Sequence, residues 1–223
     1  MSPIYDKNQV CCLRKKKLIY MKKKECLIFG ATGRVSNSII NSFKFNNFFI
    51  HGVSKRSKQK IKIDNYKHHF FDITKGISIK LKKILNSKEL KFIIFAVNKK
   101  ERKKNLEFDT NILLKYHFFF PIKIAEFLKK KKNIQLIIIN SDCIFTTKSK
   151  FPYSVSKLAS AFFVKYAALL FPNLKFFSIL MGKLNIKNLS KLESLLGELI
   201  KNYTKYNSRN FPIEKKKNQL ELY

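Results

Sequence analysis

The sequence predicts an α/β fold in which helices cover both faces of a parallel sheet of about seven strands. Three observations lead to this prediction. Short runs of about four to eight residues are apolar throughout rather than alternating, which is typical of strands buried on both faces. Segments with apolar residues at i, i+3 and i+4 separate these runs. Strand and helix alternate along the chain, as in doubly wound sheets.

The predicted strands are seven short, largely apolar runs, and the last of them is the weakest. They are 25–30, 46–54, 68–72, 90–97, 133–141, 174–182 and 210–216.

The predicted helices are the amphipathic segments between the strands, at 34–43, 77–87, 108–131, 153–171 and 189–206. Within the third, Pro121 is expected to bend or divide the helix. Pro152 lies just before the fourth and suits a helix start.

The chain has 223 residues and shows neither a repeat nor a linker, which predicts one domain over 21–223. The first 20 residues form a basic extension that we expect to be poorly ordered. Met21 is an alternative start, because a strand-like run follows it at once.

The charge is strongly positive, with 47 Lys and Arg against 14 Asp and Glu and a formal net charge of +33. Such a charge is typical of proteins that bind nucleic acid or an acidic partner. The lysines are spread over the whole chain, however, and arginine, the better reader of bases, is scarce. The abundance of Lys, Asn, Ile, Phe and Tyr favours compositional drift in an AT-rich genome. We therefore expect no specific nucleic acid, while an acidic carrier remains open.

Cysteine and histidine give no metal pattern. The four cysteines have no CxxC spacing, and His51, His68, His69 and His117 form no ligand motif, so we expect these histidines to be structural or surface residues. No apolar run reaches the ~18 residues that span a membrane. The N-terminus is a poor signal peptide, which favours a cytoplasmic, reducing location.

The segment GATGRVS (30–36) directly follows the first strand and opens the first helix. This is the context of a Rossmann-type dinucleotide turn, in which Gly30 allows a tight turn and Gly33 lets the backbone approach a pyrophosphate. Ser36 stands at the third glycine position, where we expect slightly looser packing of helix on strand. The candidate cofactor-binding residues of this turn are Gly30, Thr32, Gly33, Arg34 and Val35.

The second strand ends in VSKRS (53–57). A basic residue at this place accommodates a ribose 2′-phosphate, whereas an acidic one favours the free hydroxyl. Lys55 and Arg56 therefore favour NADP(H) over NAD(H).

A Tyr-x-x-x-Lys pair opens the fourth predicted helix. With 9 Tyr and 47 Lys and Arg, about two such pairs are expected by chance, and two occur, Tyr20–Lys24 and Tyr153–Lys157. Tyr153 and Lys157 share one helix face. A phenol has a pKa of about 10, and a cation one turn away favours the phenolate, which suits Tyr153 to acid–base chemistry.

From about Lys24 to Gly182 the chain resembles the short-chain dehydrogenase/reductase family in its short, non-extended form. The resemblance rests on five features in order: GATGRVS, Asp72 after the third strand, Asn111 in DTNILL, Ser141 at the end of the fifth strand, and the Tyr153–Lys157 pair. Ala96 matches the family's Asn-Asn-Ala-Gly stretch at one position.

The resemblance implies roles for these residues. Tyr153 would be the acid–base residue, Ser141 would bind the substrate oxygen, and Lys157 would assist Tyr153 and hold the nicotinamide ribose. Asn111 would support a proton relay through water. Asp72 would contact the adenine, with Ala96 and Gly182 also at the cofactor.

The implied activity is hydride transfer between NADPH and a small-molecule or carrier-bound carbonyl, such as a 3-oxoacyl carrier protein, a pterin or a sugar derivative. Pairing through 108–131 and 153–171 would give a homodimer or homotetramer. Phe118–Phe120 and Phe162–Phe163 could line that interface or belong to the core.

Several positions depart from the family pattern. The Asn-Asn-Ala-Gly stretch is reduced to Ala96, Met181 precedes Gly182 where a proline is usual, and only 183–188 separate Gly182 from the next predicted helix. This short connection implies an open substrate site. A binding or scaffold protein that has lost catalysis is therefore one alternative, and a nucleic-acid binder is another.

Overall fold

A computed structural model describes residues 23–55, 64–97, 105–145, 151–182, 184–202 and 209–212. The predicted basic extension, 1–20, lies outside the described residues. The prediction of one domain over 21–223 extends past them and stays a prediction. Along the described segments, no helix is both long and apolar enough to cross a bilayer.

The sheet is parallel and has the strand order β3-β2-β1-β4-β5-β6-β7. This confirms the predicted doubly wound class. The order reverses between β1 and β4, and in open sheets of this kind ligands bind beyond the carboxyl ends of the strands at such a reversal. The strands are β1 (Glu25–Phe29), β2 (Phe49–Ser54), β3 (Tyr66–Phe70), β4 (Leu90–Phe95), β5 (Ile134–Ser141), β6 (Leu174–Met181) and β7 (Arg209–Pro212).

Helices follow the strands and lie on both faces of the sheet. They are α1 (Arg34–Phe45), α2 (Ile79–Leu85), α3 (Leu106–Leu114), α4 (Phe120–Leu128), α5 (Phe151–Leu170) and α6 (Ile186–Lys201).

Adjacent strand residues belong to different apolar clusters, which explains why the strands are apolar throughout. Leu27 and Ile93 pack with side chains of α2, α4 and α5, whereas Ile28 and Ile94 pack with side chains of α1 and α6. Successive strand side chains point to opposite faces. Both faces of β1 and β4 are therefore buried, as the sequence predicts.

The long helix predicted over 108–131 is divided ahead of Pro121 by a π-helical turn, Lys115–Phe119. A proline has no N–H and its ring crowds the carbonyl four residues earlier, here that of His117. The π-helical turn pairs each carbonyl with the N–H five residues later, which widens the helix just before the proline ring. The hydroxyl of Ser160 on α5 donates to the His117 carbonyl, which cannot be paired by Pro121.

The connection between β6 and α6 is shorter than predicted. α6 begins at Ile186 because the Asn185 side chain caps it, accepting the N–H of Asn188 at 2.8 Å. The sequence prediction started this helix at 189.

Candidate active site

The turn after β1 requires glycine at position 30. Gly30 has a φ of +81°, in the left-handed region. A Cβ atom there would lie 2.7 Å from the Ala96 carbonyl oxygen and 2.9 Å from the Val97 Cα. Both are backbone atoms, so no side chain can move to make room. The Gly30 N–H donates to the Val53 carbonyl at 2.9 Å, which fixes the turn to β2.

Ser36 closes the turn by a side-chain hydrogen bond. It is fully buried, and its hydroxyl donates to the Gly30 carbonyl at 2.6 Å. The Gly33 N–H donates to the same carbonyl at 3.0 Å. We expected looser packing at this position; the structure instead shows the serine oxygen tying the start of α1 to the end of β1.

Gly33 is exposed directly before α1. A Cβ atom there would meet the Gly30 carbonyl oxygen at 3.4 Å and the Ser36 Oγ at 3.7 Å, which are ordinary contacts. Within the described residues, no side chain caps this helix end, and its first turn has no acidic residue. Its N–H groups and positive dipole end can therefore receive an anion. The other predicted residues of the turn lie beside it: Thr32, Arg34 and Val35.

Two predicted cofactor residues, Lys55 and Asp72, contact each other beyond the ends of β2 and β3. The Lys55 Nζ lies 2.7 Å from the Asp72 carboxylate, which also accepts the N–H and the hydroxyl of Thr74. Burial alone would raise the pKa of Asp72, but the hydrogen bonds from Lys55 and Thr74 outweigh it and lower the pKa to about 2. Arg56 lies outside the described residues.

α5 places Tyr153 and Lys157 beside β5. The Lys157 Nζ lies 5.7 Å from the centroid of the Tyr153 ring. Lys157 is 3% exposed; its Nζ donates to the Ile139 carbonyl at 3.0 Å, and its own carbonyl accepts the Asn140 amide at 3.1 Å. Both ends of the lysine are therefore fixed to β5, while Tyr153 stays partly exposed. The result is a buried cation beside an accessible phenol.

Three more predicted residues lie at strand ends on the same edge of the sheet. Ser141 is the last residue of β5, Ala96 follows β4, and Gly182 follows β6. Ser141 is partly exposed, and its N–H donates to the Asn140 side-chain oxygen at 3.2 Å. Because all the strands are parallel, the Gly30 turn lies at this edge too.

The structure does not bring Asn111 into this group. Asn111 lies on α3 with an exposed side chain. Among the described residues, the side-chain amide of Asn111 makes no hydrogen bond. The relay role implied for Asn111 stays a prediction without a contact to support it.

His117, which the sequence analysis expects to be a structural or surface residue, is buried beside Tyr153. It is 3% exposed, and its ring packs edge-on against Tyr153 with centroids 5.8 Å apart. Its Nδ1 lies 2.9 Å from the Ser156 Oγ. The sequence carried one signal for it, since Pro121 four residues later forces the backbone at His117 away from α-helical geometry.

The His117 imidazole is neutral near pH 7. Burial lowers its pKa well below the ordinary 6.5, and the charge of Lys157 lowers the pKa further. The Val97 carbonyl raises the pKa, but by less. Within the described residues, its Nε2 makes no hydrogen bond of ordinary geometry.

Solved structures share this fold at low sequence identity. A 4-hydroxyisoleucine dehydrogenase complexed with NADH has a TM-score of 0.72 and 18% identity, covering 86% of this chain and 97% of its own. A short-chain dehydrogenase/reductase family oxidoreductase from Brucella ovis, with a partially ordered NAD, has a TM-score of 0.70 and 14% identity over 86% and 100%. FolM alternative dihydrofolate reductase 1 from Brucella canis, complexed with NADP, has a TM-score of 0.67 and 12% identity over 86% and 92%.

No sequence-family model matches the chain, and no curated protein does. The structural similarity nevertheless confirms the family resemblance at the level of the fold: the chain has the fold of the short-chain dehydrogenases/reductases. Identities this low establish the fold and not the role of any residue.

Proposed function

We propose that the chain is an NADP(H)-dependent oxidoreductase that interconverts a carbonyl group and an alcohol. The observation that carries the proposal is the buried Lys157 ammonium beside the partly exposed Tyr153 phenol, on the sheet edge that holds the glycine turn. A fixed cation near a phenol stabilises the phenolate and makes the phenol a better proton donor. Proteins of this fold that bind NADH or NADP support the same conclusion.

In the reducing direction, Tyr153 donates its phenolic proton to the carbonyl oxygen of the substrate. Lys157 stabilises the phenolate that remains, and the Ser141 hydroxyl donates a hydrogen bond to the same substrate oxygen. The nicotinamide cofactor supplies the hydride when bound. Tyr153 then regains a proton from solvent, and the reverse sequence oxidises an alcohol.

The residues at the turn fit a dinucleotide. Gly33 and the uncapped start of α1 suit the pyrophosphate, because the site is open and offers N–H donors. Lys55 lies where a ribose 2′-phosphate is held in folds of this kind. With Arg56, it is our reason for proposing NADP(H) over NAD(H).

We propose a small-molecule or carrier-bound carbonyl compound as the substrate. The short connection between β6 and α6 leaves the substrate side open to a bulky ligand. The net charge of +33 favours an acidic carrier, such as a 3-oxoacyl carrier protein, over a neutral pterin or sugar derivative.

The test is NADPH oxidation with a panel of carbonyl compounds. We expect Tyr153→Phe to lower turnover about 100-fold or more while the Kd for NADPH stays within about twofold. Tyr166→Phe is a matched control, because Tyr166 lies on the same helix beside Lys165, with the Nζ 5.9 Å from the ring centroid, but is 51% exposed. Unchanged turnover in Tyr153→Phe would contradict the mechanism.

A second candidate is a binding or scaffold protein that keeps the fold without turnover. The exposed position of Asn111 favours it, since the relay that the resemblance implies has no contact here. Titration with NADPH and NADH separates the two candidates. Failure to bind either dinucleotide favours the scaffold.

A further inference from the structure

One face of α5 is polar and buried where it meets the π-helical turn. Tyr153, Ser156, Lys157 and Ser160 follow the i, i+3, i+4, i+7 spacing that places side chains on one helix face. His117 contacts this face with its ring on Tyr153, its Nδ1 at Ser156, and its backbone carbonyl at Ser160. The contact is therefore made by both the side chain and the backbone of His117.

The hydrogen bonds run from the imidazole to the backbone of the proposed acid–base residue. The Ser156 hydroxyl has one proton, which it donates to the Tyr153 carbonyl at 2.8 Å. Because the Tyr153 carbonyl can only accept, we assign the imidazole proton to Nδ1, which then donates to the Ser156 Oγ across 2.9 Å. Ser156 is fully buried and His117 nearly so, so water does not compete for these bonds.

The neutral imidazole is also compatible with the buried cation beside it. Lys157 is 3% exposed, and its positive charge lowers the pKa of His117. A protonated imidazole would repel this ammonium in a region of low dielectric constant. His117 can therefore contribute a hydrogen bond and a ring contact without disturbing Lys157.

We propose that His117 is a positioning residue for the Tyr153–Lys157 pair. Its imidazole holds the first turns of α5, and with them the Tyr153 phenol, in the orientation that proton transfer needs. The π-helical turn directs His117 to this place, whereas Asn111 on the preceding helix lies at the surface. The catalytic meaning of this role rests on the proposed oxidoreductase function.

The test compares two substitutions of His117. His117→Phe keeps a ring against Tyr153 and removes the donor to Ser156, whereas His117→Asn offers an amide donor in place of Nδ1. We expect His117→Phe to lower kcat about tenfold, with KM and the Kd for NADPH within about twofold, and His117→Asn to recover most of the loss. Unchanged kcat in His117→Phe, or an equal loss in both variants, would overturn the proposal.

A second variant keeps the test decisive if His117→Phe does not fold. Ser156→Ala removes the acceptor with a small change in volume and should lower kcat to the same degree. Adding His117→Asn to Ser156→Ala should cause no further loss, because the acceptor of the asparagine amide is already absent. Additive losses would overturn the proposal.

Hydrogen exchange separates this inference from the proposed function. In His117→Phe, the backbone amides of 153–160 should exchange faster than in the wild type, while those of 161–170 keep their rates. If the wild type reduces no carbonyl compound but this difference is seen, the proposed function fails and the positioning of α5 by His117 stands. Equal exchange of 153–160 in both proteins overturns the inference.

Discussion

The Lys55 ammonium lies 2.7 Å from the Asp72 carboxylate, so two residues expected to contact different parts of one cofactor bind each other. The Lys55 side chain is 63% exposed and that of Asp72 is 13% exposed. A lysine this exposed can leave its partner at a cost of at most about 1 kcal/mol. In the proposed NADP(H) complex, Asp72 would therefore compete with the ribose 2′-phosphate for Lys55.

We expect Asp72→Asn to raise the affinity for NADPH relative to NADH by about twofold to fivefold, the range that corresponds to an exposed ion pair. The asparagine keeps a side-chain oxygen for other contacts and removes only the competing charge. Fluorescence titrations at one fixed salt concentration measure both Kd values. Lys55→Met is the control and should weaken NADPH alone. A fall in relative NADPH affinity in Asp72→Asn would contradict the competition, and an unchanged NADPH affinity in Lys55→Met would show that Lys55 does not bind the phosphate.

The two glycines of the turn should respond differently to alanine. Gly30→Ala places a Cβ atom 2.7 Å from the Ala96 carbonyl oxygen at a left-handed φ, so we expect it to destabilise the fold by about 2 kcal/mol or more. Gly33→Ala meets only ordinary contacts and should leave the free energy of unfolding within about 0.5 kcal/mol. It should nevertheless weaken dinucleotide binding at least about tenfold, because the proposed site needs a close approach of the backbone at this position to the pyrophosphate.

Urea denaturation and dinucleotide titration of both variants check this prediction. If Gly33→Ala binds NADPH as tightly as the wild type, the pyrophosphate does not lie at this turn. If Gly30→Ala is as stable as the wild type, the turn has another conformation in solution.

The sequence predicted the sheet well because its signal is local. Strands buried on both faces must be apolar throughout, so the runs around Leu27, Ile93 and Ile137 could be recognised without knowing their partners. The same holds for Gly30, whose role in a tight turn was predicted from its place between the first strand and the first helix. The spacing of the Tyr153–Lys157 pair is matched by Tyr20–Lys24, so the pair could be singled out only by the features around it, from GATGRVS to Ser141.

What the sequence could not predict depends on contacts between distant segments. The position of His117 follows from a π-helical turn that Pro121 and Ser160 stabilise together, and Ser160 is on another helix. The Lys55–Asp72 pair likewise joins the ends of two strands. Asn111 and His117 both lie in the helix predicted over 108–131. The apolar pattern of that segment does not show which of the two faces the site.

Two neighbouring histidines, His51 on β2 and His69 on β3, lead us to predict a loss of stability in mild acid. The His51 Nδ1 and the His69 Nε2 lie 3.1 Å apart. Burial lowers the pKa of His69 to about 4, and His51 and Lys80 contribute in the same direction. In the unfolded chain this residue binds a proton near pH 6.5. Between these two values the unfolded state holds more protons, so the free energy of unfolding falls as the pH is lowered from about 6.5 towards 4.

We expect His69 to reduce the free energy of unfolding by about 1 to 2 kcal/mol at about pH 5 relative to pH 7.5. Urea denaturation at both pH values measures this difference. His69→Gln cannot take up the proton and should show a smaller drop. A drop of equal size in both proteins would assign the acid sensitivity to other groups.

The outer face of α5 carries an apolar stripe that predicts self-association. Its members follow an i, i+4, i+7, i+8 spacing and are exposed by 42% to 79%: Phe162, Tyr166, Leu169 and Leu170. By contrast, Phe163 and Phe120 are buried in the core. The sequence had left open whether these two residues line an interface or belong to the core. Large contiguous apolar patches are uncommon on the surfaces of monomers. We therefore propose that two copies of the chain pair through α5, as the family resemblance implies.

Phe162→Glu tests this pairing because it places a charge at the N-terminal end of the stripe, where burial without a partner is costly. We expect the variant to sediment as a monomer at concentrations where the wild type is a dimer or tetramer. Phe45→Glu on α1 is the matched control, since Phe45 is 82% exposed on the opposite side of the sheet and should leave the assembly unchanged. A wild type that stays monomeric at the highest concentration tested would exclude pairing through α5. An assembly lost in Phe45→Glu but kept in Phe162→Glu would move the interface to the α1 face.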